Sequence, residues 1–311
     1  MRSGESGYNT IRERVRSGSM KRATFVTSCL AALAAPRIGR AQTPLDELLR
    51  PAIQSIPGNV GVYARTMANG PALYAYNAAV SFPSASTIKT LIMLTAFKAA
   101  ERDPTAMQKR ITFRAADRIG GSEFMANASD GERFTVHELI TPMIQVSDNT
   151  ASNMLITHFG FDTINAVTRR AGLHHTTLRR HFLDTAALLR HMDNRTTPAD
   201  MARLLYEIER GAREGIATVA SSISCRRMIT IMLGQTDRDT IPRLLPASVP
   251  VANKTGELSR SRSDVAIVDP FGDSPFVLAV FTSGLDAPGQ AYSGIARISR
   301  VIYGRVAGTD L

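Results

Sequence analysis

The sequence predicts an α+β chain built on one antiparallel sheet, and three observations point there. Short β-like runs stand near both ends of the chain. A long stretch of helical pattern, about residues 87–240, separates them. The chain then closes on a further helical pattern. Strands at both ends of a helical middle must pair with one another, so the run near residue 60 is brought beside the run near residue 280 in one body.

Thr43–Ser55 reads as the first helix, because Leu45, Leu48, Leu49 and Ile53 recur near helical spacing. Gly61–Thr66 and Leu73–Asn77 flank an Asn69-Gly70 pair, which is a hairpin signal. Ile88–Ala100 is apolar nearly all round, the mark of a buried helix. Thr135–Val146, Asn149–His158, Thr163–Ala171, Pro198–Glu209 and Ala220–Met232 also carry helical periodicity. Val249–Lys254, Ser263–Asp269 and Phe276–Ser283 read as strands, with Pro270–Ser274 turning between the last two, and Tyr292–Val306 is the closing helix. The expected division is an α/β part over about 42–85 and 241–311, with a helical part over about 86–240.

The formal charge of +10 suggests nucleic acid at first sight, but its location argues otherwise. Residues 1–41 hold eight Lys/Arg against two acids, so +6 of the charge lies there and only +4 is left for the rest, an ordinary soluble surface. The same segment reads as a signal peptide. Lys21-Arg22 open a basic region, Ala23–Ala35 is apolar but too short to span a bilayer, and Gly39-Arg40-Ala41 offers small residues at the positions a signal peptidase reads. Met20 is an alternative start, with residues 1–19 an upstream extension. Val26-Thr27-Ser28-Cys29 resembles a lipobox, but Cys29 sits inside the apolar stretch rather than after it. Export to the periplasm with cleavage near Ala41 is therefore expected, leaving a domain of residues 42–311, one thiol (Cys225) and no internal disulfide.

Three short motifs carry the chemistry. Ser86-Thr87-Ile88-Lys89 is the only Ser-x-x-Lys in the chain and stands at a helix start, where residues three apart share a face. A serine hydroxyl needs a base to accept its proton, and a lysine buried in an apolar helix loses charge to desolvation and becomes one. Taken alone, the pair reads sooner as a helix cap with a snorkelling lysine, a spacing that arises roughly once per chain by chance. Ser147-Asp148-Asn149 lies between two helical patterns and reads either as an N-cap or as a proton-relaying hydroxyl with a substrate-binding amide. Lys254-Thr255-Gly256 ends a predicted strand. It reads either as a strand terminus or as a positive charge, a hydroxyl for a carboxylate, and room for substrate to lie along the strand. All three in this order are expected by chance in roughly one chain per thousand or fewer.

In that combination the sequence resembles the class A β-lactamases and penicillin-binding proteins, whose signature is Ser-x-x-Lys, Ser-Asp-Asn and Lys-Thr-Gly. The resemblance runs over roughly residues 44–306. It implies an antiparallel sheet of about five strands flanked by helices, with an all-helical subdomain beside it. It also implies Ser86 as nucleophile, Lys89, Ser147 and Lys254 as catalytic partners, and the backbone N–H groups of Ser86 and Glu257 as oxyanion hole. Asn149, Thr255 and Gly256 would bind substrate. Arg262 would hold a substrate carboxylate, or is a surface arginine in an Arg/Ser-rich turn. A monomer acting on a small molecule without metal or cofactor is expected.

The chain departs from the family in one place. Class A enzymes carry Glu-x-x-Leu-Asn in a loop before Lys-Thr-Gly, and its glutamate orients the water that clears the acyl-enzyme. Here that stretch, Thr177–Asp184 continuing to Pro198, has no glutamate and is shortened. Asp184 is the first candidate for a substitute base, Asp193 the second and His181 the third. Four functions stay open: a β-lactamase, a cell-wall peptidase or esterase, a penicillin sensor that stays acylated, and an inactive scaffold. Two hydrolase classes are excluded. The six histidines lack metal-site spacing, and no Gly-x-Ser-x-Gly occurs. Cys225 lies in a partly apolar helical stretch and reads as core.

Overall fold

The structure is a computed structural model that describes residues 44–68 and 70–309. The export segment, Cys29, Thr43 and Asn69 lie outside the described residues. Helix α1 (Pro44–Gln54) leads into β1 (Asn59–Thr66), which pairs with β2 (Tyr74–Tyr76) as the expected hairpin. Two residues of β3 (Phe82–Pro83) precede a 3₁₀ turn over Ala85–Ile88 that runs directly into α2 (Lys89–Arg102). A second small ribbon, β4 (Arg110–Thr112) with β5 (Arg133–Thr135), leads to α3 (Val136–Gln145), α4 (Asn149–Phe159) and α5 (Phe161–Arg170). Helix α3 starts where it does because of a capping box: Thr135 and Glu138 each accept from the other's backbone N–H.

The short helix α6 (Thr185–Leu189) and β6 (Arg195–Thr196) follow, and β6 pairs with β3. Then come α7 (Pro198–Glu214) and α8 (Ser222–Leu233). Helix α7 is capped by Thr197, has proline at its first position and ends on a left-handed Gly215. The chain finishes with β7 (Val251–Leu258), β8 (Ser261–Val268), β9 (Phe276–Ser283) and α9 (Tyr292–Ala307). The short elements β3–β6 and α6 give no periodic pattern to read, being two to five residues long.

The five-stranded antiparallel sheet has the order β2-β1-β9-β8-β7, so the first and last strands of the chain do meet, Val62 opposite Val280. Strand alternation splits its side chains between two apolar layers. Val62, Leu278, Val280 and Ala266 face α1 and α9, while Val277, Phe281, Val265 and Ile267 face the other helices. Helices α7 and α8 pack directly on the sheet, against β1, β8, β9 and β7. The layer beneath the sheet is therefore continuous with the core of the helical part, running from Phe281 through Met228 to Leu91 and Leu155. Strand β7 is an edge, and its open side faces the 3₁₀ turn that carries Ser86.

Among the described residues no helix is long and apolar enough to cross a membrane. No group of three or more His, Cys, Asp or Glu among them is arranged to hold a metal ion.

Candidate active site

The three motifs converge on one cleft. Ser86, Ser147, Asn149, Thr255, Glu257 and Arg262 line it, in a volume of about 410 Å³. Lys89 and Lys254 lie fully buried beneath. Ser86 sits in the 3₁₀ turn, where side chains three apart eclipse one another, so Lys89 stands one tight turn behind it. The residue before Ser86, Ala85, is held at φ 45°, and Ser147 across the cleft at φ 59°. Such conformations cost of order 1 kcal/mol or more in non-glycine residues and persist only where the surroundings fix them.

Those surroundings are visible at Ser147. Asp148 is completely buried, its Oδ1 accepting from Ala151 N at 2.8 Å as the cap of α4 and its Oδ2 accepting from Met125 N at 3.0 Å. Asn149 N donates to Gly121 O and its Nδ2 donates to Gly120 O, both at 3.0 Å. The loop over residues 120–125 and the start of α4 are thus pinned together. That leaves the Ser147 hydroxyl and the Asn149 carbonyl oxygen free to face Lys89.

Lys89 uses both. Its Nζ lies 2.6 Å from Ser147 O, 2.8 Å from Asn149 Oδ1 and 3.1 Å from Ser147 Oγ. Among the described residues Ser86 Oγ makes no hydrogen bond, so the anticipated Ser86–Lys89 contact is open in this state and the lysine is held from the Ser147 side instead. Burial, then the neighbouring Lys254 charge, holds the Lys89 pKa well below its ordinary value, against a smaller opposing pull from Asp148. Lys254 Nζ lies 3.1 Å from the same Ser147 Oγ and donates to Thr255 O at 2.8 Å. Burial lowers its pKa to about 7, while Asp264 and Asp237 oppose the shift. Asp264, fully buried on β8, is itself raised to about 6 by desolvation, though Thr240, Asn253 and Ile241 N bond its carboxylate.

Lys254-Thr255-Gly256 does not end its strand, as the sequence pattern suggested. Strand β7 continues to Leu258, and the turn to β8 falls at Ser259-Arg260. The alternation signal runs out at the glycine, but pairing with β8 carries on through Leu258–Ser261. The continuation matters for Glu257. Arg262, its partner on β8, spends both backbone groups on the β9 side: its N–H donates to Thr282 Oγ1 at 2.9 Å and its O accepts from that hydroxyl at 2.6 Å. In an antiparallel ladder this makes Glu257–Arg262 a non-hydrogen-bonded pair. The Glu257 N–H is therefore turned out of the open edge of β7, on the Ser86 side. Gly256 brings that edge close, since a Cβ there would stand 3.0 Å from Ala85 Cβ and 3.1 Å from Ser84 O.

Arg262 is not the exposed residue of a turn. It lies on β8, 4% exposed, with Nη1 donating to Glu257 Oε2 at 2.9 Å and Nη2 to Asp237 Oδ2 at 2.5 Å, and its guanidinium lies over the Tyr292 ring.

A second cavity of about 150 Å³ adjoins the first at Ser86, Asn149 and Glu257, and is lined on its far side by Phe182, Leu183, Asp184 and Leu188. Of the three candidate bases only Asp184 lines it, and its Oδ1 caps α6 by accepting from Ala187 N at 2.8 Å. Asp193 is bound to the buried Arg180 guanidinium at 2.8 Å. His181 contacts Thr157 and Phe161 and lines a different cavity. Asn194 ties the loop to the residue that begins the nucleophile's 3₁₀ turn: its Oδ1 accepts from Arg179 N and Arg180 N, and its O accepts from Ser84 N.

Sequence reasoning missed Phe182, Asp237 and Tyr292. Phe182 stands two residues from Asp184 in the loop already under suspicion, and its ring lies over Lys89 Nζ. Nothing local in the sequence marks Asp237 or Tyr292, which reach Arg262 only through the fold.

A buried lysine and a serine on one 3₁₀ turn, facing a second buried lysine across a bridging hydroxyl, define a serine enzyme of the β-lactamase type. The comparisons agree: residues 44–306 match the model of the β-lactamase enzyme family, and the chain belongs to that family. Among solved structures it is similar to a β-lactamase from Sphaerobacter thermophilus DSM 20745, at 27% identity over 84% of this chain and 97% of that one, TM-score 0.74. It is similar to PBP-A at 26% identity over 86% and 97%, TM-score 0.76. An ancestral class A β-lactamase (GNCA) matches at 27% identity over 84% and 99%, TM-score 0.74.

Proposed function

We propose that the protein is a serine hydrolase that opens β-lactam rings through an acyl-enzyme on Ser86. The observation that carries this reading is the bridge Lys89–Ser147–Lys254 beside Ser86 in one cleft. A neutral lysine has two N–H bonds and one lone pair. With its hydrogens on Ser147 O and Asn149 Oδ1, Lys89 keeps the lone pair for a hydroxyl proton. Ser86 Oγ attacks the lactam carbonyl while Lys89 takes its proton, and the backbone N–H groups of Ser86 and Glu257 stabilise the oxyanion. As the C–N bond breaks, Ser147 passes its hydroxyl proton to the leaving nitrogen and recovers one from Lys89, with Lys254 holding the hydroxyl oxygen in place. Water then adds to the ester carbon, giving a proton to Asp184, and the acyl C–Oγ bond breaks as that proton passes on to Ser86 Oγ, which restores the free serine and the Asp184 carboxylate.

Two observations favour a second reading, a penicillin sensor that stays acylated. Lys89 faces the Phe182 ring rather than a loop carboxylate, and one oxygen of Asp184 is committed to a helix cap. A cell-wall peptidase or esterase would use the same acylation steps. A mutant of PBP-A has been solved as an acyl-enzyme complex with penicillin G.

Intact-protein mass after mixing with benzylpenicillin, with Ser86→Ala as control, separates these. A one-drug adduct that forms and clears supports the β-lactamase, and a lasting adduct supports the sensor. No adduct sinks both. The basic, apolar and small-residue segments of residues 21–41 support export with cleavage near Ala41, which N-terminal sequencing of the secreted protein checks.

A further inference from the structure

Away from the cleft, a cavity of about 260 Å³ opens where the last turns of α2 and α5 meet the segment between α7 and α8. Lys89 begins α2 and Arg102 ends it, so the cavity stands about 20 Å of helix away from the catalytic lysine. Leu94, Lys98 and Arg102 recur at every fourth residue and form one stripe of α2. By the same rule Val167, Arg170 and Ala171 form the facing stripe of α5. On both helices the apolar residue comes first and an arginine closes the helix. Leu94 is fully buried and Val219 nearly so, which gives the cavity an apolar floor, while Arg102 and Arg170 stand exposed at its mouth.

The charges around this floor do not balance. Three cations line the cavity and no acid does. Lys98 is spent on Glu101, donating to Oε2 at 2.6 Å. The Thr218 hydroxyl at the rim donates to Glu207, whose carboxylate also faces Arg210 at 3.7 Å. Arg102 and Arg170 are different: neither guanidinium has a hydrogen bond or ion pair among the described residues. Each closes a helix, where the chain end carries about half a negative charge. Two such ends offset about one of the two free guanidinium charges, so about one positive charge is left over an apolar floor. An inorganic anion would satisfy the charge and leave the floor wet. A neutral apolar molecule would cover the floor and leave the charge.

We propose that this cavity binds a small amphiphilic carboxylate, its anion held by Arg102 and Arg170 and its apolar tail laid against Leu94, Val167 and Val219. The volume is that of about nine waters, room for a chain of roughly six carbons with its carboxylate. The site is separate from Ser86 and does not depend on the acyl-enzyme reading.

Hexanoate, hexan-1-ol, hexylammonium and acetate are matched probes, read by isothermal titration calorimetry on the whole protein. Hexanoate is expected to bind one to one with a Kd of about 1 mM. Hexan-1-ol lacks the charge, hexylammonium reverses it and acetate lacks the tail, and each should bind about tenfold more weakly or worse. Arg102→Gln combined with Arg170→Gln leaves the floor intact and should weaken hexanoate about tenfold. Ala171→Leu keeps both charges, fills the cavity and should weaken it as much. Urea midpoints like the parent's would show that these variants are folded. Hexanoate binding that neither variant changes would place the anion elsewhere, and equal affinity for hexanoate and hexan-1-ol would reduce the cavity to an apolar hole. Either result overturns the proposal, as does a failure of hexanoate to bind, and all three leave the acyl-enzyme reading untouched.

Discussion

The ring of Phe182 lies across Nζ of Lys89, 4.3 Å from nitrogen to ring centroid. A ring in that place does two things. It shields the lysine from water, which adds to the desolvation that lowers the Lys89 pKa. It also means that the loop presents a ring to Lys89 where a carboxylate would pair with it. Acylation and deacylation are thereby separated. The base for the first step is built into the helical core, while the second depends on what the remaining loop carboxylate, Asp184, can reach.

Substituting Asp184 by asparagine distinguishes its two roles. Asparagine caps a helix about as well as aspartate, so α6 and the melting temperature should be unchanged. It cannot take a proton. Clearance of the penicillin adduct is expected to slow about a hundredfold, with acylation untouched. Time-resolved mass spectrometry reads both steps in one experiment. Unaltered clearance would reduce Asp184 to a cap.

Most of the sheet and every long helix are legible in the sequence because they bury an apolar face with a regular period. The run Phe276–Ser283 is β9 to the residue, and the all-round apolar pattern of Ile88–Ala100 belongs to the most deeply buried helix, α2. The motif residues are legible from the three motifs in combination and in order, not from any one spacing. The surroundings that tune them are not, since Phe182, Asp237 and Tyr292 act across 93, 25 and 30 residues of chain on Lys89, Arg262 and Arg262. Only the paired register of β8 with β7 and β9 reveals which way the Glu257 N–H points. Short pairings such as Phe82–Thr196 leave no trace in a periodicity, though they anchor the loop beside Ser86.

Gly256→Ala should damage acylation more than stability. The new methyl meets Ala85 Cβ at 3.0 Å, Ser84 O at 3.1 Å and Thr87 Cγ2 at 3.1 Å, so β7 or the 3₁₀ turn must shift by a few tenths of an ångström. Both carry the N–H groups proposed to hold the oxyanion. A shift of that size is expected to cost about tenfold or more in acylation rate. Unfolding in urea should lose only about 1–2 kcal/mol. A fall in stability with no loss of rate would place the oxyanion donors elsewhere.

Asp148→Ala removes an anchor rather than a reacting group. The backbone N–H groups of Ala151 and Met125 would both lose a charged acceptor in a buried site, at a cost of about 2–4 kcal/mol in urea unfolding. Freed from its pin, Ser147 should leave its left-handed conformation, and acylation should fall as well. Asp148→Asn keeps one acceptor and is expected to recover roughly half of the stability. If both variants unfold like the parent, the loop over residues 120–125 is held by its other contacts.

Lys254 should leave a signature in the pH dependence of folding. Its pKa is about 7 in the folded protein against 10.5 for a free lysine. Between those values the unfolded chain binds the proton and the folded chain does not, so stability rises with pH across the window and is lost as pH falls towards 7. The slope from this one group is at most about 1.4 kcal/mol per pH unit. Asp264, raised to about 6, acts with the opposite dependence and only between 3.8 and 6, below the window. There the folded chain binds the proton and the unfolded chain does not, so its contribution falls as pH rises and is complete before pH 7. Cys225, pushed up to about 11 by burial, opposes the Lys254 trend only above its ordinary value of 9.0. Urea midpoints at pH 7 and pH 9 should therefore climb in the parent and climb less in Lys254→Met, which keeps the bulk and removes the charge. Lys89 contributes with the same sign and remains in the variant, but the Lys254 charge is one cause of its lowered pKa, so the difference reads Lys254 together with its effect on Lys89. Equal climbs in the two proteins would mean that Lys254 keeps its proton well above pH 7, and the hydroxyl of Ser147 would then face a permanent ammonium.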